Sequence, residues 1–208
     1  MIEQGSAEWF AMRAGKITAS RIADVMAKGK GTAESVTRAK YRAQVVAERL
    51  TGTSQEDGYE SEAMRRGTEQ EPFARAAYEA EKGVFVDQVA FVIHPAILNA
   101  GCSPDGRVGD EGGCEIKCPN TSTHIRWIIA GEVPAEHLKQ MHWCMAVTGA
   151  QWWDFVSFDG RLPDEDLKLF VRRLPRDPNV IDAMEASVRE FDAECSALVA
   201  ILRHEQAA

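Results

Sequence analysis

The sequence has no long apolar run, and no stretch approaches the roughly 20 residues that a membrane-spanning helix needs. It also lacks the basic-then-apolar N-terminal pattern of a secretory signal, so we expect no export. Repeats and low-complexity segments are missing. The hydrophobic fraction (45%) and the charged fraction (27%) are ordinary for a globular protein, which excludes disordered and fibrous classes. These features predict one cytoplasmic domain over residues 1–208.

Cysteine is scarce, and the count of five is odd. A chain of 208 residues can bury its own core, so reduced thiols are expected rather than a disulfide framework. A zinc or iron–sulfur site at Cys102, Cys114 and Cys118 would need His94 or Cys144 as a further ligand. Zinc ligands usually come as two closely spaced pairs, and the second pair is missing here. We therefore expect buried free cysteines.

Two common catalytic signatures are also missing. There is no G-x-S-x-G pattern, so serine hydrolase chemistry is not supported. The glycine-rich range 28–32 lacks the G-x-x-x-x-G-K-[ST] spacing of a nucleotide-binding P-loop.

Basic residues are fewer than acidic ones, 24 against 32, and the net charge of −8 excludes a general polyanion-binding surface. The range 13–49 differs, because it holds nine basic and three acidic residues and carries +6, which leaves −14 for the rest. A locally basic segment on an acidic body suits an enzyme that holds a polyanion at one place. The alternative is a solvated helix face.

Apolar spacing predicts an α/β (α+β) chain in which helices come first and strands follow. The helices are predicted near 18–26 and over 41–50, 63–80, 138–147 and 179–203. The strands are predicted over 84–93, 98–102, 114–118 and 152–158, with a turn at Gly112-Gly113. No linker is evident. The domain therefore divides only loosely into an N-terminal helical part (about 1–62), a core (about 63–160) and a C-terminal helix (about 177–204).

The residues that point to chemistry are Asp105, after Pro104, and the pair Glu115 and Lys117. Strand alternation places Glu115 and Lys117 on one face, and a hairpin would bring Asp105 beside Glu115. Two close carboxylates repel unless a cation lies between them, and oxygen ligands suit Mg²⁺ or Mn²⁺. Such an ion could polarise a phosphate and activate water, while Lys117 orients or deprotonates the water or stabilises charge. This set predicts phosphodiester hydrolysis.

Each piece alone also has an ordinary explanation. Asp105 could simply form a turn, and Glu115 with Lys117 could be a surface ion pair. Glu71 and Arg75 are four residues apart on a predicted helix, so they could form a solvated salt bridge. The alternative for Glu71 is a further carboxylate directed at the metal ions.

Five motifs in this order resemble the lambda-type alkaline exonucleases, the YqaJ-like viral recombinase family of the PD-(D/E)xK superfamily. The motifs are Trp9-x-x-x-Arg13-x-Gly15-x-Ile17-Thr18-Ala19-Ser20, Gly67-x-x-x-Glu71-x-x-Ala74-Arg75, Cys102-Ser103-Pro104-Asp105-Gly106, Glu115-Ile116-Lys117-Cys118-Pro119, and Gln140 within His137-Leu138-Lys139-Gln140-Met141. The resemblance implies a restriction-endonuclease-like core, a central mixed β-sheet flanked by helices. It also implies Mg²⁺-dependent, processive 5′-to-3′ digestion of one strand from a duplex DNA end. The products would be mononucleotides and a 3′ single-stranded tail for recombination by strand annealing.

The resemblance further implies which residues act at the metal site. Asp105, Glu115 and the backbone carbonyl of Ile116 would bind Mg²⁺ (or Mn²⁺), and Glu71 would support a second ion. Lys117 would act on the attacking water. Gln140 would help to position Lys117 or the water.

A pocket for the 5′-phosphate is implied at Arg13, Ser20 and Ser103. General chemistry agrees, since arginine offers a fork of donors to phosphate and Ser20 lies at a predicted helix start, where free N–H groups favour an anion. The alternative is that Arg13 pairs with an acid and Ser20 only caps the helix. Lys30 and Met64 fall where the family has its duplex-opening wedge, although a lysine lacks the planar fork of the arginine that is usual there.

The family's partners would be duplex DNA ends and a single-strand annealing protein, and its assembly a ring-shaped homotrimer in a bacterial cytoplasm, of phage or prophage origin. Two other functions stay open on the sequence. One is a repair or CRISPR-associated nuclease of the same core with an iron–sulfur cluster. The other is a non-catalytic DNA-end-binding module in which Asp105 and Glu115 are structural.

Overall fold

The computed structural model describes residues 2–31, 33–55 and 61–205, without the side chains of residues 63 and 205. The helices in chain order are α1 (Ala7–Arg13), α2 (Ile22–Val25), α3 (Val36–Thr51), α4 (Glu62–Lys82), α5 (Thr121–Ala130), α6 (Ala135–Thr148), α7 (Glu165–Lys168) and α8 (Pro178–Glu205). The strands are β1 (Ile17–Thr18), β2 (Val92–Ile93), β3 (Ala100–Cys102), β4 (Gly106–Val108), β5 (Gly112–Lys117), β6 (Trp152–Phe158) and β7 (Leu169–Pro175).

These strands form two mixed sheets flanked by helices, which confirms the predicted architecture and divides the sheet in two. The smaller sheet has the order β1-β3-β2, with β1 parallel and β2 antiparallel to β3. The larger has the order β4-β5-β6-β7. Its central strands β5 and β6 are parallel, so the chain must cross over between them, and it does so through α5 and α6.

Strand β5 lies between two hydrophobic cores. Its Cys114 and Ile116 side chains belong to a small core together with Ala74 and Tyr78 of α4. The larger core surrounds α6 and includes Trp143. Because side chains alternate along a strand, Glu115, which lies between Cys114 and Ile116, faces away from the α4 core and towards α6.

Three of the nine basic residues in the range 13–49 form ion pairs that join α3 to α8. Arg38 donates to both carboxylate oxygens of Glu194, at 2.8 and 2.9 Å, and Arg42 lies 2.7 Å from the same carboxylate. Arg49 pairs with Asp192 at 2.6 Å. These arginines therefore stabilise the packing of two helices and do not form a free DNA-binding face.

The predicted helix near 18–26 is much shorter than expected. Ala19–Arg21 forms a 3₁₀ turn, and α2 adds only four residues. Such a short element supplies little helix dipole for an anion near Ser20. The longer helices predicted for α3, α4, α6 and α8 are all present, and Gly52 and Gly83 end α3 and α4 in the left-handed conformation.

The strand predicted over 84–93 is wrong for most of its length. Only Val92–Ile93 is a strand, and Asp87 forms an isolated bridge to Arg107. Phe85 is 89% exposed. β-branched and aromatic residues favour a strand only where a partner strand and a packing surface exist, and most of this segment has neither.

The turn predicted at Gly112-Gly113 is also wrong, because both glycines lie inside β5 opposite Trp152 and Trp153. A Cβ atom at Gly112 would lie 2.1 Å from the ring of Trp152, and one at Gly113 would lie 2.4 Å from the ring of Trp153. Glycine is required here for close packing and not for a turn. The β4–β5 turn comes earlier, over 109–111.

Six elements of the described structure were given no range in the sequence analysis, namely α1, β1, β4, α5, α7 and β7. Helix α5 had readable signals, since the Asn120 side chain accepts from Thr123 N and Gly131 ends the helix with a positive φ. The division of the chain into parts near residues 62 and 160 stays a prediction. None of the helices in the described segments is both long enough and apolar enough to span a membrane.

Candidate active site

The hairpin of β4 and β5 places Asp105 beside β5. Gly106 pairs with Cys114, so Asp105, directly before it, reaches the level of Glu115 and Ile116. Its Oδ2 accepts a hydrogen bond of 2.7 Å from the backbone N–H of Ile116. The predicted proximity of Asp105 and Glu115 is therefore present, although the turn that produces it differs from the one expected.

Glu115 and Lys117 share one face of β5, as strand alternation predicted. Lys117 Nζ lies 2.5 Å from Glu115 Oε1 and 3.9 Å from Asp105 Oδ2. Gln140 of α6 donates a hydrogen bond of 2.7 Å to the same Oε1. Glu115 is fully buried, whereas 32% of the Lys117 side chain is exposed. A surface ion pair does not describe this arrangement, because the carboxylate is inside the protein.

Burial dominates the electrostatics of Glu115. It raises the pKa of this carboxyl to about 7; the Lys117 ammonium opposes the rise, and the nearby Asp105 carboxylate adds to it. For Lys117, burial lowers the pKa. The negative charges of Glu115 and Asp105 raise it by more than burial lowers it, so the pKa of Lys117 lies above the usual lysine value. Lys117 is therefore a protonated donor in this arrangement.

Glu71 on α4 faces the same carboxylates. Its Oε1 lies 2.5 Å from an Arg75 guanidinium nitrogen, so the i,i+4 salt bridge is real. Burial, followed by the charge of Asp105, raises the pKa of Glu71, which places the two carboxylates in one electrostatic environment. The two alternatives for Glu71 therefore do not exclude each other, because it forms the salt bridge with Arg75 and also lies near Asp105.

Two cavities meet at these carboxylates, because Glu71 and Asp105 line both. The first has a volume of about 730 Å³ and extends towards Gln4, Arg75 and Gln88. The second has a volume of about 360 Å³, and its lining includes Met64, Ile116, Lys117, Trp127 and His137. We call Glu71 and Asp105, which lie between the two cavities, the carboxylate wall; a substrate in either cavity would contact it.

The carboxylate oxygens of Glu71 and Asp105, which line both cavities, and of Glu115, which lies buried beside them, suit a divalent cation. Glu115 Oε2 is buried and has no hydrogen-bond partner in the described part of the chain, which is costly for a carboxylate unless a cation satisfies it. Within residues 2–31, 33–55 and 61–205, no three His, Cys, Asp or Glu side chains form a metal cage by themselves. Any ion here would complete its shell with backbone oxygen and water, as Mg²⁺ usually does.

The predicted 5′-phosphate residues are only partly brought together. Arg13 NH1 lies 3.4 Å from Ser103 Oγ, and Trp9 Nε1 donates to that hydroxyl at 2.9 Å. The Arg13 guanidinium stacks 4.1 Å from the centre of the Trp9 ring. Ser20 is exposed, and its hydroxyl lies 3.4 Å from that of Thr18. Arg13 and Ser103 therefore lie together, and the 5′-phosphate pocket that they would form with Ser20 stays a prediction.

The two predicted wedge residues lie in different settings. Met64 is 57% exposed in the first turn of α4 and lines the second cavity, so an apolar side chain does stand at the entrance to the site. Lys30 is exposed in the loop before α3. Their action on duplex DNA stays a prediction.

The cysteines are free, and four of the five are buried, while Cys118 is half-buried beside Lys117. Three of the buried ones, Cys102, Cys144 and Cys195, belong to the larger hydrophobic core. Burial raises the pKa of Cys118 to about 12, so this thiol is not a nucleophile at neutral pH.

Sequence reasoning missed two residues of the site. Trp9 was quoted only as part of a motif, yet it orients Ser103 and stacks on Arg13. His137 was likewise quoted only within the motif of Gln140, yet it lines the second cavity. A signal for His137 did exist, because it precedes Gln140 by three residues and so shares its face of α6.

Comparison with known proteins identifies the family and the fold. A family model for the YqaJ-like viral recombinase domain matches residues 8–151. The fold is similar to the crystal structure of an alkaline exonuclease (LHK-Exo) from Laribacter hongkongensis, with 48% identity, a TM-score of 0.88, and coverage of 97% of this chain and 98% of that one. The same values hold for LHK-Exo in complex with dAMP.

A phage-related exonuclease from Haemophilus somnus shares the fold at 15% identity, with a TM-score of 0.68 over 90% of this chain and 96% of that one. None of the curated proteins compared with the chain gives a significant match.

Proposed function

Because this chain belongs to the YqaJ-like viral recombinase family and is a DNA exonuclease, we propose that it uses Mg²⁺ to digest one strand of duplex DNA from its 5′ end. The products would be mononucleotides and a 3′ single-stranded tail that serves recombination by strand annealing. The observation that carries the proposal is the convergence of Asp105, Glu115 and Lys117, with the ammonium 2.5 and 3.9 Å from the two carboxylates.

The residues that would hold Mg²⁺ are Asp105, Glu115 through its unpartnered Oε2, the carbonyl of Ile116, and Glu71 for a second ion; Mn²⁺ would suit the same oxygen atoms. When bound, Mg²⁺ supplies a positive charge that polarises the phosphate and lowers the pKa of its water. Hard oxygen donors at the junction of two cavities fit this ion better than they fit zinc or an iron–sulfur cluster.

The chain's own residues would act around the scissile phosphate as follows. Lys117, held in its protonated form by the carboxylates, would donate to the attacking water or to the negative charge that develops on the phosphate. Gln140 holds the carboxylate of Glu115 through its 2.7 Å hydrogen bond, and Glu115 in turn holds the ammonium group of Lys117. Glu71, held by Arg75, borders both cavities and would help to hold the second ion there.

Two observations support single-nucleotide release from a 5′ end. The first cavity, about 730 Å³, is of the size that takes a small ligand and not a duplex, and the related LHK-Exo was crystallised with dAMP. Arg13 lies beside Ser103, two residues before Asp105, where a guanidinium could receive a terminal phosphate. Ser20 would complete this pocket.

We further propose the assembly and the partners that the family implies. A ring-shaped homotrimer around DNA would let a subunit of charge −8 stay on a polyanion, since enclosure replaces part of the electrostatic attraction. Lys30 and Met64 would open the duplex at the entrance. The single-stranded product would pass to a single-strand annealing protein in a bacterial cytoplasm.

A time course on linear duplex DNA with one labelled 5′ end tests the reaction. We expect the label to appear first in a mononucleotide, only when Mg²⁺ is present, and the unlabelled strand to remain as a 3′ tail. Retention of the 5′ label in progressively shorter strands, or digestion without divalent metal, would contradict the proposal. A strand labelled internally serves as the control, because its label must appear later than the 5′ label.

A further inference from the structure

The inference concerns His137, which lies in the first turn of α6, three residues before Gln140. Residues three apart on a helix share a face, so His137 and Gln140 both lie on the side of α6 that faces β5. Gln140 uses its amide to hold Glu115. His137 lines the second cavity together with Asp105 and Lys117. The imidazole therefore belongs to the wall that a phosphodiester would meet.

Aromatic packing holds this ring in place. The imidazole stacks on Phe155, with ring centres 5.2 Å apart and an interplanar angle of 23°. Trp127 meets it edge-on at 5.7 Å. Phe155 is fully buried and Trp127 nearly so, which fixes both supports in the core. A ring packed in this way is oriented before any substrate arrives.

The nitrogen atoms of His137 are not used within the described part of the chain. A neutral imidazole has one donor and one acceptor nitrogen. In His124 both are engaged, by Ser157 Oγ at 2.6 Å and by the carbonyl of Leu167 at 2.8 Å. In His94, Nδ1 accepts from the backbone N–H groups of Ala96 and Ile97. For His137, no side-chain hydrogen bond is formed with any described residue, although it borders a cavity.

The charge state fits contact with phosphate by hydrogen bonding. Burial, and then the charge of Lys117, lower the pKa of His137 to about 4, so its ring is neutral at pH 7. Lys117 already provides the positive charge on this wall. A neutral ring N–H can donate a directional hydrogen bond to a phosphate that Lys117 attracts, and it does so without a second buried positive charge.

We propose that His137 is a substrate-contacting residue, whose ring N–H donates a hydrogen bond to a non-bridging oxygen of the scissile phosphodiester in the second cavity. The proposal rests on the proposed function, because it takes a DNA strand as the ligand. Its role would be to hold the phosphate in line with the carboxylate wall, which affects the rate of the chemical step more than the affinity.

Three variants separate this role from packing. His137→Phe keeps an aromatic ring against Phe155 and Trp127 but removes both nitrogens, His137→Asn keeps a donor, and His204→Phe is the matched control on the exposed end of α8. With 5′-phosphorylated duplex we expect kcat of His137→Phe to fall roughly 10- to 100-fold, the range for one hydrogen bond to a charged group, with KM little changed. We expect His137→Asn to recover part of the loss. Melting temperature is measured for each.

Wild-type kcat in His137→Phe would overturn the inference, because packing alone would then suffice. Equal losses in His137→Phe and His137→Asn, together with a lower melting temperature, would also overturn it in favour of a structural role. Since wild-type digestion is the reference, its failure would contradict the proposed function and not this inference alone.

A direct readout uses protein with ¹⁵N-labelled histidine. Addition of a short 5′-phosphorylated duplex without divalent metal should shift the ring-nitrogen resonance that is missing in His137→Phe, whereas the His204 signal should stay in place. An unmoved His137 resonance at saturating duplex would contradict the contact.

Discussion

The ammonium group of Lys117 lies 2.5 Å from Oε1 of Glu115, while the other oxygen of that carboxylate is buried without a hydrogen-bond partner in the described structure. One oxygen is thus neutralised by the protein, and the other is left for a ligand of positive charge. A surface salt bridge would satisfy both oxygen atoms with solvent. This difference between the two oxygen atoms of Glu115 is what we expect of a metal-binding site and not of a structural ion pair.

Replacement of the ammonium tests its part in the reaction. In Lys117→Met, an apolar side chain of similar length, we expect the rate of DNA digestion to fall roughly 100-fold or more, because a preorganised donor to the developing charge is lost. Binding of duplex DNA, measured by fluorescence anisotropy without divalent metal, should persist. Lys117→Arg keeps the charge but changes its geometry and should recover only part of the activity.

The same substitution has an unfavourable effect on stability that must be separated from catalysis. Removal of Lys117 leaves Glu115 as a buried carboxylate with less compensation, which destabilises a protein. Activity is therefore compared at a temperature where circular dichroism shows both proteins folded. Undiminished digestion by folded Lys117→Met would contradict the mechanism.

The unpartnered oxygen of Glu115 gives a prediction about metal that does not depend on activity. Mg²⁺ that binds only the folded state should raise the melting temperature of the wild type, by about 3–6 °C at roughly ten times its Kd. In Glu115→Gln the rise should disappear, because the charged ligand is gone. Glu190→Gln, an exposed change on α8, should keep it.

Chelation provides the complementary measurement. Excess EDTA should stop digestion by the wild type and lower its melting temperature to that seen without Mg²⁺. A rise of equal size in Glu115→Gln would show that the ion binds elsewhere.

Arg13 should determine the preference for a phosphorylated end. Its guanidinium stacks on Trp9 and lies 3.4 Å from Ser103 Oγ, so it is held where a terminal phosphate would meet a planar fork of donors. The wild type should degrade a 5′-phosphorylated duplex faster than a 5′-hydroxyl duplex. In Arg13→Ala this ratio should fall roughly tenfold, towards one.

The control for Arg13 is Arg203→Ala, which removes a positive charge at the exposed end of α8. It should leave the end preference unchanged. If Arg13→Ala keeps the full preference while its overall rate is normal, Arg13 is a structural residue only.

The core of the site could be predicted from sequence because it depends on short-range geometry. Glu115 and Lys117 are two residues apart on one strand, and Asp105 is joined to that strand by a hairpin, so alternation and one turn suffice to bring them together. Gln140 was identified only through the family motif. Its hydrogen bond to Glu115 links residues 25 positions apart on different elements.

What could not be predicted depends on distant parts of the chain. Arg38 and Glu194 are 156 positions apart, so no local sequence pattern indicates their ion pair. The sequence therefore could not show that arginines of the basic range 13–49 pair with α8. Gly112 and Gly113 look like a turn until Trp152 and Trp153 are known to lie against them. Local preferences are weak beside such tertiary contacts.

The glycine contact can be tested through stability. In Gly113→Ala the new methyl group would lie 2.4 Å from the Trp153 ring, which is itself fully buried and cannot move aside freely. We expect the free energy of unfolding to fall by about 1–3 kcal/mol, measured by urea titration. Gly67→Ala is the matched control, since its methyl group meets no atom within 4 Å inside helix α4. It should be neutral or stabilising by about 0.5–1 kcal/mol. Equal stability of the two variants would contradict the packing argument.

The pair of Asp159 and Arg161 gives a pH dependence outside the active site. Burial would raise the pKa of Asp159, but hydrogen bonds from Arg161 and Thr121 outweigh it and lower the pKa to about 2. The folded state therefore binds fewer protons than the unfolded chain between about pH 4, the ordinary aspartate value, and pH 2. The stabilisation is complete above that range and is lost as the pH falls through it.

Arg161→Ala should consequently be less stable than the wild type at pH 7, and the difference should shrink as the pH falls from 4 towards 2. A part should remain at every pH, because Arg161 also donates to the carbonyl of Pro119 at 2.9 Å. In an Asp159→Asn background the effect of Arg161→Ala should not depend on pH, because the titrating group is gone. Urea titrations of the four proteins at pH 7, 5, 4 and 3 measure this coupling directly. The comparison that decides is the stability difference between Arg161→Ala and the wild type, both with Asp159 intact. If this difference stays constant or grows as the pH falls, the ion pair does not contribute through charge.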